Sequence, residues 1–347
     1  MKQLKKRQLN ILEFIRNNKG VSNKEIRVFI SDISRITIVR NLKILLNQRL
    51  IKKEGGGRSI RYFENIQNNL LRYFDVGKYF KTAVDERNIS FEKFNFDIFN
   101  HFENIFSEEE TKKLREINND YERRIKQLPE TILKRETERL SIELSWKSSQ
   151  IEGNTYSLLD TEVLIKENKE AEGHKKEEAV MILNHKKALD YIFDKRSDFK
   201  NISLGKIENI HKLIVGDLNV KKGLREKPVG ITGTRYKPLD NSHQIREAIE
   251  KMIESINKLN DSFSKAMLVI LMVSYIQPFE DGNKRTGRIL GNAILLANNI
   301  CPLSLRSISE SDYRKATVLF YEQNSLRFFK ELFVQQFEFA VKNYFLG

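Results

Sequence analysis

Residues 277 to 288 read Gln-Pro-Phe-Glu-Asp-Gly-Asn-Lys-Arg-Thr-Gly-Arg, and this stretch decides the fold. The run Ser264 to Ile276 before it is apolar almost all round, which is typical of a buried helix, and the proline after Gln277 ends that helix. A second, amphipathic helix is predicted from Lys284 to Asn298. Gly282 and Asn283 tolerate the backbone angles of a tight turn, so the free amides of the second helix are expected to face an anion.

The loop also carries charge suited to phosphate groups. Lys284, Arg285 and Arg288 could hold two or three phosphates, and Asp281 is the carboxylate best placed to carry Mg²⁺ among them. This combination indicates a nucleoside di- or triphosphate. The alternative is a solvated basic loop between helices, which is common in a chain with 31% charged residues.

The spacing from Gly282 to Gly287 matches a P-loop, but two features argue against one. Arg288-Ile289 stands where that motif requires Lys-Ser/Thr, and a helix instead of a strand precedes the loop.

The stretch 277–288 resembles the Fic family signature, His-Pro-Phe-x-Asp/Glu-Gly-Asn-Gly/Lys-Arg-x-x-Arg, at every position except the first. The resemblance implies a mainly α fold with an all-helical Fic-type core, which transfers AMP from ATP to a Ser, Thr or Tyr hydroxyl of a protein target. The doc branch of the family carries lysine at the position of Lys284 and transfers phosphate, so the transferred group stays open. The implied nucleotide-binding residues are Gly282, Asn283, Lys284, Arg285, Arg288 and Tyr313, and the implied catalytic positions are Gln277 and Arg285.

Gln277 occupies the position of the family histidine, which deprotonates the target hydroxyl. General-base catalysis contributes about 10² to 10⁴-fold in rate, and glutamine cannot accept the proton. His211 and His243 lack the motif context to replace it. Three explanations stay open: a natural variant that binds nucleotide and signals by conformation, a slow transferase that relies on positioning, or an engineered inactive form.

Residues 148–153, Ser-Ser-Gln-Ile-Glu-Gly, resemble the family's inhibitory motif, Ser/Thr-x-x-x-Glu-Gly/Asn. Ser148 and Glu152 are four positions apart, so they share a helix face, and Gly153 can end that helix. The resemblance implies that Glu152 pairs with Arg288 and thereby misplaces ATP. An ordinary helix C-terminus is the alternative.

Residues 228–238, Pro-Val-Gly-Ile-Thr-Gly-Thr-Arg-Tyr-Lys-Pro, alternate apolar and small side chains, which predicts a short β-hairpin. The resemblance implies a flap that pairs with an extended segment of the target through Gly230, Ile231, Thr232 and Gly233. An ordinary surface hairpin is the alternative.

The N-terminus concentrates positive charge, which points to a polyanionic partner. Residues 1–65 contain 16 lysines and arginines against 5 acidic residues, so they carry +11 of the net charge of +14. The helices predicted here span about Arg7 to Asn18, Lys24 to Ile30 and Ser34 to Gln48, and two strands, Arg49 to Lys53 and Ser59 to Phe63, flank the turn Gly55 to Arg58.

This pattern resembles a winged helix-turn-helix, in which the third helix enters the DNA major groove. We predict that the DNA-contacting residues are Arg35, Thr37, Arg40, Asn41, Lys43 and Arg58. A protein-docking module of the same fold is the alternative.

Length and composition fit three segments in the 347 residues, and 40% hydrophobic residues suffice for a sizeable core. We predict a winged helix domain at 1–65, a helical connector at 66–145 and a Fic-type domain with its inhibitory helix at 146–345. Cys301 is the single cysteine, so an intrachain disulfide is excluded and a reducing, cytoplasmic setting is expected. The apolar run Ala266 to Ile276 is too short to cross a membrane.

Two functions remain. The first is an adenylyltransferase that uses ATP and Mg²⁺, is autoinhibited by Glu152 and is impaired by Gln277. The second is a catalytically inactive, nucleotide-responsive regulator of transcription. The expected partners are an unidentified target protein, DNA and, by the resemblance, a second copy of the chain.

Overall fold

The chain folds into two compact units, Met1–Lys81 and Thr82–Gly347. The computed structural model describes residues 4–18, 20–30, 33–65 and 68–346, without the side chain of Arg58. The helices of the first unit are α1 (Lys6–Arg16), α2 (Asn23–Phe29), α3 (Arg35–Asn47) and α4 (Val76–Tyr79), and its strands are β1 (Val21–Ser22), β2 (Ile51–Glu54) and β3 (Arg61–Glu64). The helices of the second unit are α5 (Glu108–Gln127), α6 (Glu130–Ile151), α7 (Leu158–Glu167), α8 (Lys176–Asp194), α9 (Leu204–Ile214), α10 (Ser242–Lys258), α11 (Ser262–Ile276), α12 (Asn283–Ala297), α13 (Glu310–Gln323) and α14 (Arg327–Asn343).

In the first unit, three helices pack on a small antiparallel sheet with strand order β1-β3-β2. The side chains of Ser22 and Ser34 accept hydrogen bonds from the first turns of α2 and α3, which fixes where these helices begin. The core consists mainly of the apolar faces of α1 and α3, with Ile11, Leu12, Ile15, Ile38, Leu42 and Leu45 buried. The three helices and two strands expected in residues 7–63 are present, and β1 is an additional strand of two residues.

The second unit is built around α11 and α12. Every side chain of α11 except that of Lys265 is buried. α12 approaches it closely because Gly287 and Gly291 lack side chains: a Cβ at either glycine would lie 3.0 Å from a carbonyl oxygen of α11. The fold is mainly α, as predicted. Over the described ranges, no helix has the length and apolarity needed to span a membrane.

The predicted helical connector, 66–145, is wrong in its first half. Its described residues before Glu108 form only α4 and short 3₁₀ turns, and the long helices begin at Glu108. In the part that belongs to the second unit, the physical reason is that the backbone of residues 90–95 bonds to other elements of that unit. The amides of Ser90 and Phe91 donate to the carbonyl of Glu322 at the end of α13, and the amide of Asn95 donates to the Tyr275 hydroxyl.

The predicted β-hairpin at 228–238 is also wrong. Every residue of this segment is described, and it is an irregular loop with a turn at Thr232 and Gly233. Its one bridge is to Lys93, outside the segment, and is parallel. The segment pairs with other parts of the chain instead of with itself, since the carbonyl of Gly233 accepts from Arg87 and the hydroxyl of Thr234 donates to Glu322.

Candidate functional site

The loop between α11 and α12, residues 277–282, is shaped by left-handed backbone at both ends. Gln277 has φ +50° and ends α11, and Gly282 has φ +77° and precedes α12. A side chain at Gly282 would be strained by this φ and would also meet Val215, whose Cγ1 lies 2.9 Å from the Cβ position. Asn283 was expected to share the unusual turn but lies in the first turn of α12.

Asn283 instead holds the loop together through its side chain. Its Oδ1 accepts from the amide of Phe279 at 2.8 Å, and its Nδ2 donates to the carbonyl of Phe279 at 2.8 Å and to Oε1 of Gln277 at 2.9 Å. The buried amide of Gln277 also donates from Nε2 to the carbonyl of Ser274 at 2.6 Å. Both polar atoms of Gln277 are thus bonded to neighbours, which makes this glutamine part of the scaffold of the loop.

Two arginines of α12 differ in their environment. Nη2 of Arg285 donates to Oδ2 of Asp281 at 2.9 Å, within the loop. Arg288 is 1% exposed and is bound by α6: its Nε donates to Oγ of Ser148 at 2.7 Å, and its Nη1 donates to Oε1 of Glu152 at 2.8 Å. Nζ of Lys284 lies 3.3 Å from the other oxygen of Glu152. Glu152 therefore engages two of the three cations predicted to hold phosphate.

The charges around Glu152 keep it ionised. Burial acts to raise the pKa of this carboxyl, but the positive charges of Arg288 and Lys284 outweigh burial and lower the pKa below its ordinary value. Burial acts to lower the pKa of Arg288, but the negative charge of Glu152 outweighs burial and raises this pKa above its ordinary value. Glu152 caps the end of α6, and Gly153, with φ +100°, ends the helix there.

A cleft of about 500 Å³ joins the loop to the segment 228–238. The predicted site residues that line it are Glu152, Gly230, Ile231, Thr232, Gln277, Asp281, Gly282, Asn283, Lys284, Arg285 and Tyr313. Gly233, Ser148, Gly153 and Arg288 are not in this lining. Arg288 lies under Tyr313, with its guanidinium carbon 5.5 Å from the ring centroid, and is turned toward α6 instead of the cleft.

A Mg²⁺ site is not formed by the protein side chains alone. In the part of the chain that the structure describes, no group of three or more His, Cys, Asp or Glu residues is arranged to hold a metal ion. The side chain of Asp281 is 64% exposed at the cleft, and one of its oxygens bonds Arg285. A single accessible carboxylate fits an ion that keeps several waters and takes its other ligands from phosphate groups.

Arg225 is a site residue that the sequence analysis missed. It is fully buried, and its guanidinium donates to the carbonyls of Gln277 (2.6 Å), Lys227 (2.8 Å) and Leu239. Its own amide donates to the carbonyl of Pro278 at 2.9 Å. One side chain thus connects both ends of the segment 228–238 to the loop 277–282. No periodicity or motif signals such a residue, because its partners are backbone carbonyls, and those of Leu239 and Gln277 lie 14 and 52 residues away in sequence.

His211 contacts the loop 277–282 and does not line the cleft. Its ring stacks on Phe279 with centroids 3.7 Å apart, and its Nε2 lies 3.0 Å from the carbonyl oxygen of Asp281. Burial lowers the pKa of His211 to about 4, so the ring is neutral and donates this hydrogen bond. His243 is exposed on the first turn of α10 and does not line the cleft.

The first unit has a separate basic groove of about 840 Å³. Four cationic side chains line it: Lys24, Arg27, Arg35 and Arg61. Among the predicted DNA-contacting residues, Arg40 and Lys43 are exposed on α3, and Thr37 is half-buried. Asn41 was expected to face outward and does not: it is buried, and its amide donates to the carbonyl of Thr37 at 2.8 Å. The prediction for the Arg58 side chain lies outside the described residues.

Comparison with known proteins finds a family model that covers the loop of the site. The family model described as Fic/DOC family matches residues 201–295. Two similar curated proteins are "Protein adenylyltransferase Fic" of Nematostella vectensis, 26% identical over 177 residues, and "Probable protein adenylyltransferase aq_aa38" of Aquifex aeolicus, 32% identical over 91 residues. The matches cover 48% and 26% of this chain and 40% and 28% of the relatives, so the chain spans less than half of their length.

A solved structure supports the same fold. Fic-1 (aa134–508) from C. elegans matches with a TM-score of 0.57 and 19% identity, over 67% of this chain and 69% of that one. At this identity the likeness shows the fold alone. Together with the family match, it leads to one conclusion: the chain carries a Fic/DOC family domain, set within a helical Fic fold.

Proposed function

We propose that the unit Thr82–Gly347 transfers AMP from ATP to a hydroxyl group of a protein target. The observation that carries this proposal is the cleft itself, in which a cationic loop at the start of α12 faces the segment 228–238. The curated relatives named protein adenylyltransferase support this reaction for the family. Lys284 and Arg285 hold the phosphates together with the free amides of α12, and the segment 228–238 presents the target.

In the reaction, the target hydroxyl oxygen forms a bond to the α-phosphorus, and the bond from that phosphorus to the pyrophosphate oxygen breaks. Mg²⁺, held by Asp281, would neutralise charge on the phosphates. The hydroxyl proton passes to water, because the amide of Gln277 cannot accept it and is already bonded to Ser274 and Asn283. This chain is therefore a slow transferase, which relies on positioning and on phosphate stabilisation.

We also propose that Glu152 inhibits the transfer. Its carboxylate occupies Arg288 and contacts Lys284, which leaves Arg285 as the one arginine of the predicted phosphate-binding set that lines the cleft. A nucleotide whose terminal phosphate cannot reach Arg288 is held in a different position from one that can. The inhibited state would therefore bind ATP with its α-phosphorus displaced from the target hydroxyl.

Labelled-ATP incorporation tests both proposals. The full chain is compared with Glu152→Gly, and then with Glu152→Gly combined with Gln277→His. We expect weak labelling with Glu152→Gly and strong labelling when histidine is added. If only the double variant labels protein, the present chain is an inactive form of the enzyme. Absence of labelling in every form would favour the alternative function, a nucleotide-responsive regulator.

A second candidate function, binding of duplex DNA, is proposed for the first unit. The observation that favours it is the groove lined by Lys24, Arg27, Arg35 and Arg61, in a segment with a large excess of positive charge. Its cations would bind phosphates, and the affinity should fall steeply with salt. The test is fluorescence anisotropy of a labelled duplex at several salt concentrations. A salt slope that is unchanged in Arg35→Ala with Arg61→Ala would refute this assignment.

A further inference from the structure

The helix α3 exposes apolar side chains on a face where polar side chains are usual. Ile36 is 72% exposed and Val39 is 47% exposed. Val28 and Phe29 of α2 are exposed as well, so four of the six large hydrophobic residues exposed in the described part of the chain lie within residues 28–39. Ile36 and Val39 are three positions apart on α3, so they are neighbours on the surface of that helix.

The helical periodicity places the apolar groups among cations. α3 buries Ile38, Leu42 and Leu45 in the core of the first unit. Ile36, Arg40 and Lys43 are spaced at i, i+4 and i+7, so they share the opposite face, and Val39 lies at the edge of that face. Arg40 and Lys43 are both exposed. The exposed face of α3 therefore carries both apolar and positive side chains.

This combination matches the major groove of a DNA duplex better than it matches an apolar protein surface. The groove has negative phosphates on both sides, and thymine contributes a methyl group to its floor. Asn41, a polar residue of α3 that could read other bases, is buried, and its amide donates to the carbonyl of Thr37.

We infer that Ile36 and Val39 read the 5-methyl groups of thymine, so that the ligand of this surface is A·T-containing duplex DNA. The inference rests on the DNA-binding function proposed for the first unit. Arg40 and Lys43 contact phosphates at the groove edges, and the two apolar side chains provide the preference between bases. This role replaces the one that the sequence analysis assigned to Asn41.

The size of the preference follows from burial of one methyl group at a time. Burying a methylene-sized group contributes about 0.8 kcal/mol, which corresponds to roughly a fourfold change in affinity. Two such contacts would change the affinity by roughly fifteenfold if they were independent. The effect is therefore measurable with simple duplexes, before any natural binding sequence is known.

The experiment measures binding of the full chain to two DNA duplexes of equal length. One has alternating A·T pairs, and the other has deoxyuridine in place of every thymidine, so the two differ only in the 5-methyl group. We expect the A·T duplex to bind at least about fourfold more tightly. The double variant Ile36→Ser with Val39→Ser should bring the ratio of the two dissociation constants close to one, with the salt slope unchanged. Arg40→Ala should lower the salt slope and keep the ratio.

Leu159→Ser is the matched control, because Leu159 is a 70% exposed hydrophobic side chain of the other unit. It should change neither the ratio nor the slope. A ratio of one for the unaltered chain, or a ratio that survives the double variant, would overturn the thymine inference and leave DNA binding intact. Failure to bind either duplex at low salt would overturn the underlying DNA proposal as well, and would favour a protein partner for this surface.

Discussion

Replacing Glu152 by glutamine should tighten the binding of Mg-ATP. The change keeps the size of the side chain and removes its charge. In the wild-type chain, Oε1 of Glu152 lies 2.8 Å from Nη1 of the buried Arg288, and Lys284 lies 3.3 Å from Oε2. A phosphate group that binds Arg288 must first displace this carboxylate. The glutamine variant removes that competition.

The magnitude follows from the contact that is lost. A hydrogen bond to a charged group contributes about 1.5 to 3 kcal/mol, so the dissociation constant of Mg-ATP should fall by about 10- to 100-fold. Removing one partner of a fully buried ion pair destabilises a protein by about 3 to 5 kcal/mol. The cost here should be smaller, because the side chain of Glu152 is 19% exposed and Ser148 still accepts two hydrogen bonds from Arg288.

Isothermal titration calorimetry measures the affinity, and thermal unfolding followed by circular dichroism shows that the variant is folded. Glu280→Gln is the matched control, because Glu280 is an exposed glutamate that lines the same cleft. It removes the same charge without touching Arg288. Equal tightening in both variants would mean that general electrostatics, and not release of Arg288, sets the affinity. An unchanged affinity in a folded Glu152→Gln protein would refute the competition altogether.

Three further predictions concern the scaffold of the site. Burial lowers the pKa of His211 from 6.5 to about 4, so the unfolded chain takes up this proton first and stability should fall as the pH drops from 6.5 toward 4. This contribution is about 3 kcal/mol, and a urea-unfolding series in which His211→Gln keeps the full pH slope would contradict it. Arg225→Met should destabilise the protein by about 3 kcal/mol or more, because it leaves three carbonyls unpaired. The control Arg246→Met changes an exposed arginine and should not destabilise the protein, so thermal unfolding of the two variants tests the prediction. Gln277 has φ +50°, which a β-branched residue adopts only with strain. Gln277→His should therefore lower the free energy of unfolding by less than about 1 kcal/mol, and Gln277→Val by about 1 to 3 kcal/mol. Equal losses for the two variants in chemical denaturation would count against a backbone requirement at this position.

The parts of the site that depend on local sequence were predictable. The loop at 277–282, its two flanking helices and the shared face of Ser148 and Glu152 all follow from helix periodicity and from residues that end helices. The helices and strands of the first unit follow from the same rules. These features are set within one or two turns of chain, where spacing alone decides which side chains are neighbours.

The hairpin prediction failed because the segment has distant partners. Residues 228–238 alternate like a hairpin, but Arg87 and Glu322 bind the segment and Arg225 binds its ends, so it forms no strand pair of its own. These contacts have no counterpart in the local pattern of charge or hydrophobicity. Asn41 was expected on the outward face and is buried, with its amide bonded to the carbonyl of Thr37 one turn earlier.

By itself, the sequence determined that this protein has a cationic loop between two helices, an acidic residue able to face it, and a basic N-terminal segment. Only the tertiary structure decided how those parts are used. It engages Arg288 with Glu152 across 136 residues of chain, ties both polar atoms of Gln277 into the loop, and leaves Ile36 and Val39 exposed among cations. The physical reason is that burial and hydrogen-bond partners are properties of the packed chain, and the spacing of residues along one helix does not specify what lies against it.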